Sequence, residues 1–485
     1  MRYPVVRNYI NGAFTASGSK RMLNLISPID GIKLSEVPMS EAMDLESAVI
    51  SGLKAFPKWS KTPIKERVQV FFRYKQLLEL NIQELAQLCS EENGKTISES
   101  IAEIEKCIEL TEFACSLPQL ITGELLEVSR GVECRTERVP LGIVASIVPF
   151  NFPSMVPNWT LPNALALGNC MIMKPSEKVP LSVGRLAELL KQAGLPDGVF
   201  NVVHGDEKIV EAICDHPEIL AVSFVGSTKV AKIVYQRATS NFKRCLALGG
   251  AKNHLILLPD AKTDMTAQNI AASMSGCAGQ RCMAASAMIG VGNIDHIITK
   301  LCEEVSRIIP GENIGAVINR ASLERIEKYI TDAEVQGAKI LVDGRGVTVR
   351  GKEGGTYVGP TVIDYVKPEM AIATEEIFGP VISIMRTATV DEALAIENAS
   401  PYGNAASVFT QNGGIARYII ENANAGMIGV NVGVPVPREP FSFGGWNESK
   451  FGVGDITGKS SIEFWTKLKK STIKWSVEAG TNWMS

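Results

Sequence analysis

Histidine is scarce in this chain: only His204, His216, His254 and His296 occur in 485 residues. None shares a helix face with another, so a histidine-built metal site is not expected. The ten cysteines include no Cys-x-x-Cys pair. That spacing argues against structural zinc and disulfide scaffolds and for free thiols in a reducing cytoplasm. No apolar run of 18 residues is free of charges or helix breakers, which argues against a membrane span. The opening Met1-Arg2-Tyr3-Pro4 lacks the apolar core of a signal peptide. An excess of one charge is missing too. With 49 Lys and Arg against 52 Asp and Glu, interspersed, the chain offers nucleic acid no basic face. What remains is ordinary globular composition, 45% hydrophobic and 21% charged. The length is enough for a large core and about three domains.

What is present begins with short strands. Residues 7 to 39 read as strands and turns, with Asn11-Gly12 as a hairpin signal and Ser27-Pro28 and Asp30-Gly31 as a second turn. Helical periodicity follows. Ser40 is the expected N-cap of a helix whose apolar stripe is Met43, Leu45, Val49 and Leu53. A longer helix is expected from about Pro63 to Cys89, with Val68, Phe71, Phe72, Leu77 and Leu78 inward. A third spans roughly Ile97 to Ser116 and stops before Pro118. Its charges (Glu99, Glu103, Glu105, Lys106, Glu109, Glu112) read as a solvated face. From Gly123 to Arg138, alternating polar and apolar residues suggest an antiparallel ribbon outside the main body.

Leu141 to Val148 is a continuous apolar run of strand length, the pattern of a strand buried on both faces. Four more runs follow at Met171 to Lys174, Phe200 to Val203, Ala221 to Val225 and Arg244 to Leu248. They alternate with helical segments at Ser154 to Leu167, Leu181 to Ala193, Glu207 to Cys214 and Lys229 to Ala238. This rhythm predicts a doubly wound, dinucleotide-type domain. Yet the Gly-x-Gly-x-x-Gly loop is absent after every strand. Pro149-Phe150-Asn151-Phe152-Pro153, after the first, is too stiff to wrap a pyrophosphate. Phe224-Val225-Gly226-Ser227-Thr228 either offers N–H groups and a hydroxyl to one phosphate at a helix N-terminus or is an ordinary capped helix start.

Past Gly249-Gly250 a second α/β half is expected. Its strands are His254 to Leu258, Ala287 to Val291, Lys339 to Val342, Val381 to Met385, Ala405 to Thr410 and Met427 to Val430, with helices near 293–308, 321–336, 391–398 and 412–424. Tyr357 to Asp364 reads as an extended crossover. Ile462 to Lys474, with Lys467, Lys469, Lys470 and Lys474, reads as a charged edge strand that another element or subunit could cover.

Between a helical pattern (Ala261 to Ser275) and an apolar run lies Gly276-Cys277-Ala278-Gly279-Gln280-Arg281-Cys282-Met283-Ala284-Ala285. Small residues leave a thiol room for a reacting carbon, and Arg281 puts a permanent cation beside Cys282. A buried structural cysteine would fit the same residues.

Five motifs occur in one order: Pro149-Phe150-Asn151-Phe152-Pro153, Lys174-Pro175-Ser176-Glu177, Phe224-Val225-Gly226-Ser227-Thr228, Gly279-Gln280-Arg281-Cys282, and Glu375-Glu376-Ile377-Phe378-Gly379-Pro380. Together they resemble the aldehyde dehydrogenase family over about residues 8 to 475. The resemblance implies an aldehyde dehydrogenase-like α/β fold with a doubly wound NAD-binding domain (1–122 and 140–248) and an α/β catalytic domain (249–430). It also implies an oligomerisation ribbon and tail (123–139 and 462–485), a return segment lining the site (431–461), and a homo-oligomer, dimer or tetramer. NAD is then bound without the missing glycine loop. Cys282 is implied as the nucleophile, with Asn151 and the Cys282 N–H holding the oxyanion. Lys174 and Glu177 would hold the adenosine ribose with Lys178 nearby, and Ser227 would meet the pyrophosphate. Phe150 would line the cleft, and Glu376 would bind the nicotinamide ribose beside Phe378. Val148 and Gly249 would join the cofactor site.

Within the family the chain is most similar to the CoA-acylating methylmalonate-semialdehyde dehydrogenases. Ala251-Lys252-Asn253-His254, Leu258-Pro259-Asp260-Ala261, and Gly433-Val434-Pro435-Val436-Pro437 with Phe441-Ser442-Phe443 carry that likeness. It implies a malonate or methylmalonate semialdehyde substrate, coenzyme A as co-substrate and no metal, with Arg281 and Lys106 gripping the substrate carboxylate. The sequence departs in places. Leu246-Ala247-Leu248-Gly249-Gly250 has Ala247 where hydrolytic relatives carry a general-base Glu, an absence this branch shares. Lys106 stands where the branch has an Arg, keeping the charge and losing the fork. Gly444 to Lys450 is nearer to general aldehyde dehydrogenases. The alternatives are a hydrolytic semialdehyde dehydrogenase giving a free acid and a non-catalytic binding protein on this scaffold.

Overall fold

The computed structural model describes residues 1–475. Two open sheets form its body. In the first, five parallel strands run in the order Phe200–Val202, Cys170–Lys174, Ile143–Ile147, Ile219–Val225, Arg244–Leu248. The chain starts in the middle of this order, works outward one way and then returns to the other side. A crevice therefore opens at the carboxyl ends of Ile143–Ile147 and Ile219–Val225, the usual ligand position in a doubly wound sheet. Antiparallel strands close both edges: the hairpin Asn8–Ile10 with Ala13–Thr15, and Lys450–Phe451 from the far end of the chain. The hairpin turns at Asn11-Gly12, where φ is 53° and 75°, the left-handed geometry that this dipeptide tolerates.

The second sheet runs Lys339–Val342, Thr361–Asp364, Val381–Thr387, Ala285–Val291, Asn253–Leu257, Ala405–Phe409, Met427–Val430, and only its first strand is antiparallel. Period-2 alternation splits its side chains between two cores. Leu255, Leu257 and Met288 pack on one face, and Ile256, Leu258 and Ile289 on the other. Thr361–Asp364 is thus a buried sheet strand and not merely an extended crossover. A three-stranded antiparallel ribbon, Thr466–Lys474, Val132–Pro140, Leu125–Ser129, stands apart from both sheets. The short helix Ser460–Trp465 precedes it, so the tail strand begins at Thr466 and not at Ile462. Residues 476–485, part of the expected tail, lie outside the described residues. Among those described, no helix is long and apolar enough to cross a membrane.

The helical N-terminal region departs from the sequence pattern in several places. The first helix, Ala42–Trp59, is capped by Glu41 in a capping box with Asp44. Ser40 exchanges hydrogen bonds with the Asn8 side chain instead. Its buried face is Leu45, Ala48, Val49 and Gly52, while Met43 and Leu53 face solvent. The single helix expected from Pro63 to Cys89 is two, Ile64–Leu80 and Ile82–Asn93, broken at Asn81 (φ −108°, ψ 16°), and Phe72 is exposed. The helix from Ile97 continues through Pro118 to Leu120. Its acidic face is not uniformly solvated, because Glu103 is buried. Glu103 lies in the stripe Ser100, Glu103, Cys107, Thr111 that packs inward, so helical spacing could have revealed it.

Candidate active site

Cys282 follows a strained turn. Thr263–Ser275 is a helix, after which Cys277, Ala278 and Gly279 all take left-handed φ values of 51°, 52° and 69°. Such geometry costs about 1–3 kcal/mol for each non-glycine residue and needs fixed partners. Glu99 supplies one: its Oε1 accepts the Cys277 N–H at 2.5 Å while its Oε2 closes the capping box at Thr96. Gln280 supplies another, its Oε1 accepting the Ile318 N–H at 3.0 Å. Gly279 is required by space as well, since a Cβ there would lie 2.1 Å from the backbone of Gly379. That contact locks the Gly279-Gln280-Arg281-Cys282 motif against Phe378-Gly379-Pro380.

Two asparagines then fix the thiol's own peptide. Asn253 and Asn404 each donate from Nδ2 to the Cys282 carbonyl at 2.8 Å. Cys282 is half-buried. Loss of water pushes its thiol up to about 12, and the nearby Glu376 carboxylate adds to the rise. Glu376 itself is pushed by burial to about 7, partly offset by the Ala251 N–H that it accepts at 2.9 Å. A Cβ on Gly250 would meet Glu376 Oε2 at 2.5 Å, so Gly250 makes room for this carboxylate. Burial likewise lowers the Lys252 ammonium to about 7, and it donates to the Ile372 carbonyl at 2.7 Å.

Asn151 is buried, and its Nδ2 donates to the Gln280 carbonyl at 2.9 Å. An amide nitrogen has two N–H groups, and this bond, to a carbonyl two residues before Cys282, uses one of them. Beneath it lies a network that the sequence pattern did not suggest. Lys95 Nζ donates to the Asn151 carbonyl at 2.9 Å and to Glu103 Oε2 at 2.5 Å, and sits 4.1 Å from the centre of the Phe152 ring. Glu103 Oε1 accepts the Ser154 and Met155 N–H groups at 2.7 and 2.9 Å, satisfying the start of helix Met155–Ala166. Burial opposes the charge on Lys95, but Cys277 and Glu103 outweigh it and hold the ammonium above its usual range.

Of the residues expected to hold NAD, Val148, Phe150, Lys174, Glu177, Lys178, Ser227 and Gly249 lie at the carboxyl ends of parallel strands of the first sheet, while Glu376 and Phe378 lie in the loop before Val381–Thr387 of the second. Val148 follows Ile143–Ile147, and its N–H donates to the Lys174 carbonyl at 3.1 Å. Lys174 ends its strand and pairs with Glu177 at 3.1 Å. Burial pushes Glu177 up, but Lys174 outweighs it and keeps the carboxyl below its ordinary value. Phe150 and Phe378 meet edge to face at 5.8 Å, with Lys178 lying 5.2 Å over the Phe150 ring. Phe378 holds a φ of 56°.

Ser227 precedes helix Thr228–Ser240 with extended backbone, but its hydroxyl makes no capping hydrogen bond. Ser227 thus holds the N-cap position without spending its hydroxyl on the helix's own N–H groups. Gly249 sits where a Cβ would strike Glu448 O at 2.7 Å and Thr228 Oγ1 at 2.8 Å. A helix start whose N-cap hydroxyl is not bonded to its own N–H groups, a Lys–Glu pair and close-approach glycines on one crevice form a polar set that fits a dinucleotide.

Arg281 and Lys106 are both engaged. Arg281 Nε donates to Cys277 Sγ at 3.3 Å, and its guanidinium lies 3.9 Å from Glu99. Burial opposes the charge, but Cys277 and Glu99 hold the guanidinium above its usual value. Lys106 pairs with Glu439 at 2.7 Å and Glu109 at 3.1 Å. Sequence reading missed Lys95, Glu103, Glu99, Asn253, Asn404 and Gln280 as parts of this site. Asn253 and Gln280 stood inside motifs already singled out, whereas Lys95 and Asn404 carried no local signal.

With this geometry in hand, comparison with known proteins is direct. A family model for the aldehyde dehydrogenase family matches residues 14–471. The chain is 42% identical to malonate-semialdehyde dehydrogenase 1 of Geobacillus thermodenitrificans (strain NG80-2) over 479 residues, 97% of this chain and 99% of the relative. It is 40% identical to the mitochondrial acylating methylmalonate-semialdehyde/malonate-semialdehyde dehydrogenase of Rattus norvegicus, covering 99% of this chain and 91% of that one. Among solved structures, one from Sinorhizobium meliloti 1021, assigned as a methylmalonate-semialdehyde dehydrogenase and complexed with NAD, superposes with a TM-score of 0.97. It is 41% identical over 99% of each chain.

Proposed function

The chain belongs to the aldehyde dehydrogenase family, and on that premise we propose that it oxidises malonate or methylmalonate semialdehyde with NAD and passes the acyl group to coenzyme A. In this reading Cys282 Sγ attacks the aldehyde carbon. The second Asn151 N–H and the Cys282 backbone N–H stabilise the oxyanion of the resulting thiohemiacetal. NAD, when bound, supplies the hydride acceptor. Lys174 and Glu177 hold it at the adenosine ribose with Lys178 beside them, and Ser227 with Gly249 at the phosphates. Val148, Phe150, Glu376 and Phe378 act near the nicotinamide end. Hydride departure from the thiohemiacetal leaves Cys282 as the half-thioester of malonate or methylmalonate, with the free carboxylate β to the thioester carbonyl. Loss of CO₂ leaves an electron pair on the adjacent carbon, which a proton quenches. The CoA thiolate then attacks the carbonyl, and the Cys282 thiolate departs.

The observation that carries the CoA step is Ala247. It lies fully buried in strand Arg244–Leu248, between Phe224 and Phe451, with only a methyl group to offer. General-base help to water is typically worth about 10²–10⁴-fold, whereas a thiol needs less assistance. One observation favours the hydrolytic alternative: Glu376, near neutrality and close enough to perturb Cys282, is a carboxylate that could activate water. Product analysis separates the two. We expect ping-pong kinetics giving acetyl-CoA or propionyl-CoA, with steady NADH formation slowed by about 10²-fold or more without CoA. Free acetate or propionate formed at the full rate without CoA would overturn the acylating mechanism.

Arg281 is the expected anchor for the substrate carboxylate, because it adjoins the nucleophile in the chain and its charge acts on the Cys282 thiol. Arg281→Leu should raise KM for malonate semialdehyde by about tenfold or more and move KM for propanal far less. Equal effects on both aldehydes would make Arg281 a structural brace for Cys277 and Glu99.

A further inference from the structure

The helix Ile97–Leu120 braces the turn before Cys282 through Glu99, which accepts the Cys277 N–H, and it meets the segment after Met427–Val430 at the Lys106–Glu439 pair, one charge from each. On the helix, Lys106 lies one turn beyond Glu103, whose carboxylate holds the loop carrying Asn151. On the other side, Gly433 is tied through Ser273 Oγ to Ala285, at the start of the strand that follows Cys282. Val434 packs on the edge of the same core as Phe152, Met155 and Cys282. The segment continues to Glu439 and is then pinned: Phe443 N–H donates to Thr457 Oγ1 at 2.8 Å, and Lys459 N–H to the Pro440 carbonyl at 3.1 Å.

Lys106 Nζ lies 2.7 Å from Glu439 Oε2, with side-chain exposures of 19% and 9%. Its second neighbour, Glu109, is 40% exposed at 3.1 Å. Arg281, next to the thiol in the chain, and Lys106, on the helix that braces the thiol's turn, are therefore faced by three carboxylates, Glu99, Glu109 and Glu439. An incoming carboxylate meets no uncompensated cation on Lys106. It can reach that ammonium only by exchange, because Lys has a compact charge and its strongest partner already lies at hydrogen-bonding distance.

We propose that Glu439 is a specificity-determining residue: its carboxylate occupies Lys106 as an internal competitor for the carboxylate of an acidic aldehyde. The proposal rests on the semialdehyde reading and deepens it. Arg281 alone then anchors the acidic group in the resting enzyme, and the site keeps activity on neutral short aldehydes that a doubly cationic pocket would disfavour. Glu439 is close to isosteric with Gln, so Glu439→Gln removes the competing charge while keeping size and a hydrogen-bonding oxygen.

The test uses the full-length enzyme with NAD and two readouts. The first is the ratio of kcat/KM for malonate semialdehyde to that for propanal, which should rise about tenfold in Glu439→Gln, the effect of one additional charge-assisted hydrogen bond to the substrate. The second is inhibition of propanal oxidation by 3-hydroxypropionate, a non-oxidised carboxylate analogue, whose Ki should fall by a similar factor. Adding Lys106→Met to Glu439→Gln should erase both effects, which a purely structural role for Glu439 would not predict. An unchanged ratio and Ki would overturn the proposal while leaving the semialdehyde reading intact. If neither protein turns over malonate semialdehyde while both oxidise propanal, the substrate reading falls and the proposal falls with it.

Discussion

Cys282→Ala is expected to abolish NADH formation, while Cys277→Ala retains most of it. Both thiols lie in one turn, but they differ in what surrounds them. Cys277 is buried with a left-handed backbone, and its sulfur accepts a hydrogen bond from Arg281 Nε. Its N–H, the group that holds Glu99, would survive in alanine. Cys282 is half-buried, and its carbonyl is held by two asparagines with Asn151 nearby. Removing the nucleophile from a covalent enzyme costs on the order of 10⁶-fold, because the other groups act only through it. Burial and Glu376 push the Cys282 thiol up to about 12, so little thiolate exists at pH 7 without cofactor. Alkylation of the cofactor-free protein should therefore be slow at pH 7 and accelerate as pH rises. Comparable losses of activity from the two substitutions would remove Cys282 from its role.

The second large effect is expected from Lys95→Met. Lys95 and Glu103 form an ion pair with almost no exposed side chain (1% and 0%). Removing one partner leaves a buried charge uncompensated, which costs about 3–5 kcal/mol. The apparent unfolding temperature should fall by about 3–5 °C. The Asn151 carbonyl would lose its donor at the same time, so kcat should drop in whatever protein folds, for propanal as well as for acidic aldehydes. Replacing both members with apolar residues of similar volume (Lys95→Met with Glu103→Leu) should recover part of the stability but not the rate. Glu103 also holds the Ser154 and Met155 N–H groups, which set the loop. An unchanged melting point and unchanged kcat in Lys95→Met would show that the network neither stabilises the fold nor positions Asn151.

Much of the architecture was readable in one dimension. Apolar runs buried on both faces can hardly be other than interior parallel strands, and all five in the first half pair as such. The Asn11-Gly12 hairpin was legible because few dipeptides accept two consecutive positive φ values. The family itself was legible from short ordered motifs, and the same motifs are what single out Cys282, Asn151, Lys174, Ser227 and Glu376 as the proposed site residues. Helix limits were less secure. Asn81 breaks a helix that apolar spacing would continue, and Pro118 fails to end one, because tertiary packing outweighs the modest energies that set helix ends.

Partnership was the tertiary structure's to decide. Whether a charged side chain faces water, an ion or a backbone dipole depends on elements distant in sequence. Glu103 reads as one of six charges on a helix, yet it serves Lys95 and the loop after Asn151. Lys106 reads as an available cation, yet Glu439, 333 residues further along the chain, neutralises it. Gly279 reads as a small residue near a thiol, yet its function is to touch Gly379. The sequence alone determined which strands are buried, which thiol stands in the Gly279-Gln280-Arg281-Cys282 motif and that Ala247 cannot act as a base. Only the fold decided which charges remain available to a substrate, since that depends on distances between segments and on the water removed when they close together.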